Sequence, residues 1–391
     1  MRRLLVFLGA VSLVAAAGAQ NSIVTPKISQ LFAFSCNSDY SSCPEGMDPT
    51  LTPVQLSDGN IYGVTWWAGQ GSSNNGGTVW KVTAGGVASV VHTFAFNNLG
   101  QFPQGENPVI GFAVGADHNL YGVTESGGTT NQGVMYALTN TGTFKVTHNF
   151  CTGTCKDIQG AITLAKDGNF YGVQFGGSAI FRITPAGSYS VFHTLNAATE
   201  GAATTLIQGS DGNFYGTGYV VGETPCDRQA TVFKLTRAGQ FIPLTTFPAR
   251  SEALGNLIQA ADGNFYGTVD TNGQAQIFRM TSAGSVSVIY TLQGEDGLSV
   301  THLLQASDKN LWVLTYDGGP TQAGAVFAVT TAGVHLTRAP FTCATTGCHP
   351  SGMIQGRDGN FYGIATVGGR AAGRNPLGTL FKMNAGLPAL Q

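Results

Sequence analysis

The sequence is short of charge. Only 10% of its 391 residues are Asp, Glu, Lys or Arg, well under the usual quarter, and its 19 basic residues do not outnumber the 21 acidic ones. That balance offers no electrostatic footprint for nucleic acid. Beyond its first residues the chain has no apolar run suited to a membrane span, which needs roughly 20 residues. No Gly-x-Ser-x-Gly or His-Glu-x-x-His pattern occurs, so neither motif points to a serine hydrolase or a zinc peptidase. What the chain has instead is 55 glycines, 42% hydrophobic residues and 10% aromatic residues. Aromatic and β-branched residues spaced regularly between glycine-rich turns describe packed strands rather than a disordered polymer.

The opening stretch, MRRLLVFLGAVSLVAAAGAQ, carries two arginines, an apolar segment from Leu4 to about Ala17 and the small-residue ending Ala17-Gly18-Ala19. This is the pattern of a secretory signal peptide over residues 1–19, too short for a membrane anchor. No cysteine follows it for lipidation. The mature chain is therefore expected to be secreted or periplasmic in a bacterium, and loss of Arg2 and Arg3 with the leader makes it more acidic than the formal −2 of the whole sequence.

One unit repeats seven times. It is marked by SDGNIYG at Ser57, ADHNLYG at Ala116, KDGNFYG at Lys166, SDGNFYG at Ser210, ADGNFYG at Ala261, SDKNLWV at Ser307 and RDGNFYG at Arg357. Successive aspartates are 59, 50, 44, 51, 46 and 50 residues apart, the length of a β-propeller blade. Each copy reads as four short strands, A to D. Asp-Gly between apolar runs makes the A-to-B hairpin, since glycine accepts the positive φ that such a turn requires. In strand B, neighbouring residues such as Phe214 and Tyr215 point to opposite faces, so both faces are buried, as stacked blades require. The predicted fold is all-β, a seven-bladed propeller in one domain over residues 20–391. Its blades are placed at about 50–96, 105–150, 158–195, 202–247, 254–292, 300–341 and 351–384. The seventh copy has no D strand, while the mature N-terminus begins with an orphan D-like strand, Ile28 to Phe34. Pairing it antiparallel to Thr379 to Met383 closes the ring and removes an open edge.

The pattern Tyr-Gly-x-Thr, Gly-Gly, Gly-x-x-Phe resembles the GloVer tandem repeat of bacterial secreted proteins, often called choice-of-anchor repeat proteins. It is carried by Tyr121-Gly122-Val123-Thr124, Gly127-Gly128 and Gly133 to Tyr136, and again by Tyr362-Gly363, Gly368-Gly369 and Gly378-Thr379-Leu380-Phe381. The likeness spans nearly all of the mature chain. Blade six departs from it with Asp308-Lys309-Asn310-Leu311-Trp312-Val313, which is similar to repeats of periplasmic sensor propellers. The resemblance implies a propeller and export, with no established chemistry. The seven residues after Asn384 are read as too few for a C-terminal anchor.

Most polar repeats read as structural. The turn aspartates cap their own turns, and His92, His148 and His193 occupy one repeat position on three blades at the outer rim, too far apart to share a metal. Gln55, Gln208, Gln259, Gln305 and Gln355, three residues before their aspartates, are expected to form a polar amide layer. The predicted A strands hold no Asp or Glu, and only His302 is titratable there. Trp80 and Trp312 take core positions. Three local disulfides are expected, Cys36 with Cys43, Cys151 with Cys155 and Cys343 with Cys348, which leaves Cys226 as a free thiol.

In a four-stranded meander the A-to-B and C-to-D turns share one face and the longer D-to-A and B-to-C connections share the other. The long-loop face is expected to carry fourteen carboxylates against five cations, and so to favour cations or a basic partner and repel anionic polymers. The adjacent indoles Trp66 and Trp67 could stack on a sugar. With Glu125, Asp270 and Asp317 they are the candidate ligand-binding residues. The leading expectation is an exported, non-catalytic binding or scaffold propeller whose partner is a glycan, a cation or a basic protein, with catalysis disfavoured and no cofactor or metal. The alternative is an extracellular polysaccharide-acting hydrolase or lyase that uses loop carboxylates. A third reading is the ligand-sensing partner of a signalling system.

Overall fold

The computed structural model describes residues 24–69, 75–108, 111–151, 158–221, 227–371 and 373–390. The expected signal peptide and the positions Cys155 and Cys226 lie outside them. Seven antiparallel sheets, each with its strands in the order A-B-C-D, form a seven-bladed propeller. Blade 5 shows the unit: Ser251–Gln259, Phe265–Thr271, Gln274–Met280 and Val286–Thr291. Closure is as expected. Lys27–Cys36 is the fourth strand of blade 7 and runs antiparallel to Asn375–Asn384, with Ile28 opposite Met383 and Ala33 opposite Thr379.

The repeat specifies both the blade and its contact with the next. In the turn of blade 4, Asn213 donates its backbone N–H and its amide to Asp211, and Tyr215, four residues on, donates its hydroxyl to the same carboxylate at 2.9 Å. Six of the seven turns use tyrosine in this way, and in blade 6 the donor is Trp312 Nε1 at 3.3 Å from Asp308. Partial burial alone would raise these carboxyls. The converging donors outweigh it and hold Asp58, Asp117, Asp167, Asp211, Asp262 and Asp358 below the ordinary value. The tyrosine ring then packs on the phenylalanine of the following blade, with centroids 4.5 Å apart for Tyr121 and Phe170, 4.3 Å for Tyr171 and Phe214, and 4.1 Å for Tyr215 and Phe265. The glycine after the tyrosine leaves room for the strand C aromatic: a Cβ on Gly216 would come 2.3 Å from the Phe233 ring. Trp80 and Trp312 are core residues.

The glutamine layer is a set of inter-blade staples. Gln208, Gln259, Gln305, Gln355 and Gln55 each donate Nε2 to a carbonyl of their own turn. Each also accepts, at 2.7–2.8 Å, the turn N–H of the preceding blade: Lys166, Ser210, Ala261, Ser307 and Arg357 respectively. The last of these joins blades 7 and 1. Val114 and Leu164 occupy the same position in blades 2 and 3, so the junctions on either side of blade 2 have no amide staple. The rim histidines are also inter-blade contacts, stacked on the next blade's aromatic residue: His92 on Phe144, His148 on Tyr189 and His193 on Phe241.

The A strands are longer than the sequence pattern suggested. In blades 1, 5 and 7 a register shift separates a lower segment, which carries the glutamine, from an upper segment that reaches the long-loop face. Blade 2 likewise has two pieces, Glu106–Pro108 and Ala113–Val114. The shift leaves two extra residues in strand A of blades 1 and 5 and one in blade 7, which interrupts the paired ladder, so the upper segments read as loop. They carry Asp48, Glu106, Glu252 and His349. The expectation that strand A holds no carboxylate is therefore corrected.

Candidate functional site

The long-loop face is where the upper A segments and the ends of the B strands meet. Blades 1, 2 and 7 enter strand A through one pattern: Gly46-Met47-Asp48-Pro49, Gly105-Glu106-Asn107-Pro108 and Gly347-Cys348-His349-Pro350. The residue before proline is left-handed in all three, with φ of 57° at Asp48, 55° at Asn107 and 57° at His349, although proline ordinarily pushes its predecessor toward extended backbone. In two of them the side chain reaches the preceding blade. Asn107 Nδ2 donates to the Trp66 carbonyl at 3.1 Å, and His349 Nδ1 lies 3.1 Å from the Tyr316 carbonyl.

The residue before that one distinguishes blade 2. Blade 1 places Met47 there and blade 7 places Cys348, which is bonded to Cys343. Blade 2 places Glu106, a half-buried carboxylate beside Gly76 of blade 1 and the aromatic ring of Phe102. Ser126, opposite it in register, donates its hydroxyl to Glu106 Oε1 at 3.1 Å. Burial pushes the Glu106 carboxyl above its ordinary value of 4.5, the Ser126 hydrogen bond opposes the rise, and the negative charge of nearby Glu125 adds to it. Glu125 itself is exposed. A cleft of about 700 Å³ opens beside Glu106, lined by Phe102, Pro103 and the segment Thr129 to Asn131.

Trp66 and Trp67 end strand B of blade 1, on the other side of Glu106–Pro108. Their ring centroids are 5.4 Å apart and both rings are partly exposed. Trp66 Nε1 has no hydrogen-bond partner among the described residues. Three of the five candidates, Trp66, Trp67 and Glu125, thus stand at the junction of blades 1 and 2, Glu125 near Glu106 and the Trp66 carbonyl bonded to Asn107. The other two stand elsewhere. Asp270 in blade 5 accepts the Gly273 N–H at 2.7 Å, and Asp317 in blade 6 accepts the Ser299 N–H at 3.3 Å. Each serves its own hairpin.

Two further features help to locate chemistry. The axial channel, about 560 Å³, holds His302, whose Nδ1 is 3.4 Å from Thr52 Oγ1. Burial lowers His302 to about 4, against a weaker opposing hydrogen bond from the Met353 backbone, so it is a neutral imidazole. Among the described residues no group of three or more His, Cys, Asp or Glu is placed to hold a metal ion, and no helix is long and apolar enough to cross a membrane. Cys36 is bonded to Cys43 and Cys343 to Cys348.

Solved structures share the whole ring. A streptogramin B lyase superposes with a TM-score of 0.61 at 13% identity, covering 93% of this chain and 99% of its own. A catalytically inactive virginiamycin B lyase of Staphylococcus aureus with quinupristin gives 0.61 at 13%, covering 92% and 99%. The periplasmic gluconolactonase of Pseudomonas aeruginosa gives 0.52 at 14%, covering 77% and 85%. At such identities the likeness carries the fold and no residue's role. It does correct the expectation that disfavoured catalysis, because these structural neighbours, lyases and a gluconolactonase, are enzymes. No curated protein matches the chain in sequence. The model of the Gloeobacter/Verrucomicrobia repeat matches residues 18–202 and 253–389, most of the sequence, and the chain belongs to that family.

Proposed function

We propose that this propeller is an exported enzyme that cleaves extracellular polysaccharide at the junction of blades 1 and 2. In this reading Glu106 is the general acid, and Glu125 is the second carboxylate, which activates water or stabilises the developing positive charge. Trp66 and Trp67 form the sugar-stacking platform. The observation that carries it is Glu106: a carboxylate raised by burial, at a position where the sister blades place Met47 and Cys348, beside a second, exposed carboxylate and an open cleft. A carboxyl raised by burial beside a second carboxylate is the kind of pairing that acid–base cleavage of a glycosidic bond uses. The lyase and lactonase activities of the structural relatives support catalysis on this scaffold, and the leader-like first residues support export.

Charge favours hydrolysis of a neutral glycan over elimination from an acidic one. The long-loop segments 37–52, 66–77, 95–108 and 125–133 contain five carboxylates and no Lys or Arg, so nothing there would neutralise a uronate. The test is a panel of neutral and acidic polysaccharides incubated with the mature protein, scored for new reducing ends and for the ultraviolet absorbance of an unsaturated end. Release of reducing ends from a neutral polymer, lost in both Glu106→Gln and Glu125→Gln, is the expected result. Activity unaffected by both substitutions would reject the site.

A further inference from the structure

The seven repeats serve as controls for one another, and one cleft on the short-turn face is singled out by them. At the residue preceding the turn aspartate the blades carry Ser57, Ala116, Lys166, Ser210, Ala261, Ser307 and Arg357. At the second residue of the C-to-D turn they carry Ala84, Asn140, Pro185, Arg237, Ser282 and Thr331. Cations are exceptions at both positions. Lys166, on the A-to-B turn of blade 3, and Arg237, on the C-to-D turn of blade 4, belong to different repeat positions and different blades, yet they line one cleft of about 280 Å³.

We infer that this cleft binds the anionic group of an acidic sugar. Its floor is closed by Tyr171 and Phe214, buried rings tilted at 42° with centroids 4.3 Å apart, which leave the base of the cleft apolar. Neither cation forms an ion pair with a carboxylate among the described residues. Lys166 Nζ donates once, to the Ser210 carbonyl at 2.7 Å, and Arg237 donates from one terminal nitrogen to the Asp211 carbonyl at 2.7 Å, so each keeps donors to spare. The two other polar side chains of the cleft are already engaged. Asp167 accepts from Asn169 and from the Tyr171 hydroxyl and lies in the field of Arg182. Gln208 is spent on the Lys166 N–H and the Gly212 carbonyl. The lining thus carries the two cations Lys166 and Arg237 against the single carboxylate Asp167, and the cleft's volume, at the lower end for ligand pockets, suits one sugar unit. The site is on the opposite face from Glu106 and does not depend on the proposed activity.

Isothermal titration of the mature protein with glucuronate, glucose 6-phosphate and glucose separates the possible anions from the sugar alone. Binding of one or both anionic sugars, with none of glucose, is expected, and the tighter anion identifies the group. Lys166→Ser and Arg237→Ser install residue types found at these positions in other blades, so the fold should hold, which a thermal melt would check. Each should weaken binding about tenfold or more, the effect of losing one charge-assisted hydrogen bond. Arg357→Ser removes the equivalent cation of blade 7, across whose junction Ala84 stands where blade 4 has Arg237, and should leave binding unchanged. Failure of both anionic sugars to bind at millimolar concentration, equal binding of glucose, or wild-type affinity in the folded double variant would overturn the assignment.

Discussion

Replacing Gln259 by leucine tests how the ring is held together. Gln259 Nε2 donates to the Gly263 carbonyl at 2.9 Å, and its Oε1 accepts the Ser210 N–H of blade 4 at 2.7 Å. The substitution removes both bonds. A typical intramolecular hydrogen bond contributes about 1 kcal/mol net, and here water can reach the freed turn groups, so the expected cost is about 1.5 kcal/mol. With an unfolding entropy of about 2.1 cal/mol/K per residue, that lowers the Tm of a chain this long by about 2 °C. Urea unfolding followed by tryptophan fluorescence should show a lower midpoint and an unchanged slope. The reverse experiment is available in the same molecule: Val114→Gln and Leu164→Gln place the amide where blades 2 and 3 lack it, and each should raise stability by about 1 kcal/mol. If Gln259→Leu unfolds at the wild-type urea concentration, or Val114→Gln destabilises as much as Gln259→Leu does, the staples do not hold the blades.

Three other outcomes follow from the geometry. Burial lowers His92 and His302 to about 4, from an ordinary value of 6.5; the unfolded chain therefore takes up protons first, and stability present above pH 6.5 should be lost as pH falls toward 4, by up to about 1.4 kcal/mol per unit for each histidine. A stability profile flat across that window would contradict their burial as neutral rings. Tyr215→Phe removes the hydroxyl that donates to Asp211 at 2.9 Å and should cost about 1 kcal/mol in a urea titration, with the Asp211 carboxyl moving up toward its ordinary value by NMR titration. Reduction should add about two hydrogens per bridge to the intact mass, at least four for Cys36–Cys43 and Cys343–Cys348; a smaller gain would refute one of the two.

The fold was legible because its determinants are local. Asp-Gly-Asn writes the hairpin chemistry into four residues, and the incomplete seventh copy together with the orphan Ile28 to Phe34 dictated closure. What was lost lay where periodicity breaks. The bulges between Thr50 and Val54 and between Leu254 and Ile258 hid the upper A segments of blades 1 and 5, and the break between Glu106–Pro108 and Ala113–Val114 hid that of blade 2, so Asp48, Glu252 and Glu106 were read as loop residues. A signal for Glu106 existed in the sequence: aligning the three Gly-x-x-Pro segments sets it against Met47 and Cys348, a carboxylate where its sisters are sparing of polarity. The tyrosine hydroxyls were also missed, since a period-two reading marks them as apolar and does not show that a ring four residues past the aspartate folds back onto it. Trp66, Trp67 and Glu125 were singled out from residue type and loop placement. Asp270 and Asp317 passed the same filter, and only geometry shows that each carboxylate is spent on a backbone N–H of its own hairpin.

The central claim is that Glu106 delivers a proton to a departing sugar, and the most direct measurement compares two substrates of one variant. Glu106→Gln should lose about 10²- to 10⁴-fold in kcat/KM on a neutral oligosaccharide, the usual contribution of a positioned acid. It should retain near wild-type activity on an aryl glycoside whose leaving group needs no protonation. In the wild type the oligosaccharide rate should fall as pH rises through the Glu106 pKa, above the ordinary 4.5, and that limb should vanish in the variant. Equal losses on both substrates, or an unchanged alkaline limb in Glu106→Gln, would contradict the account.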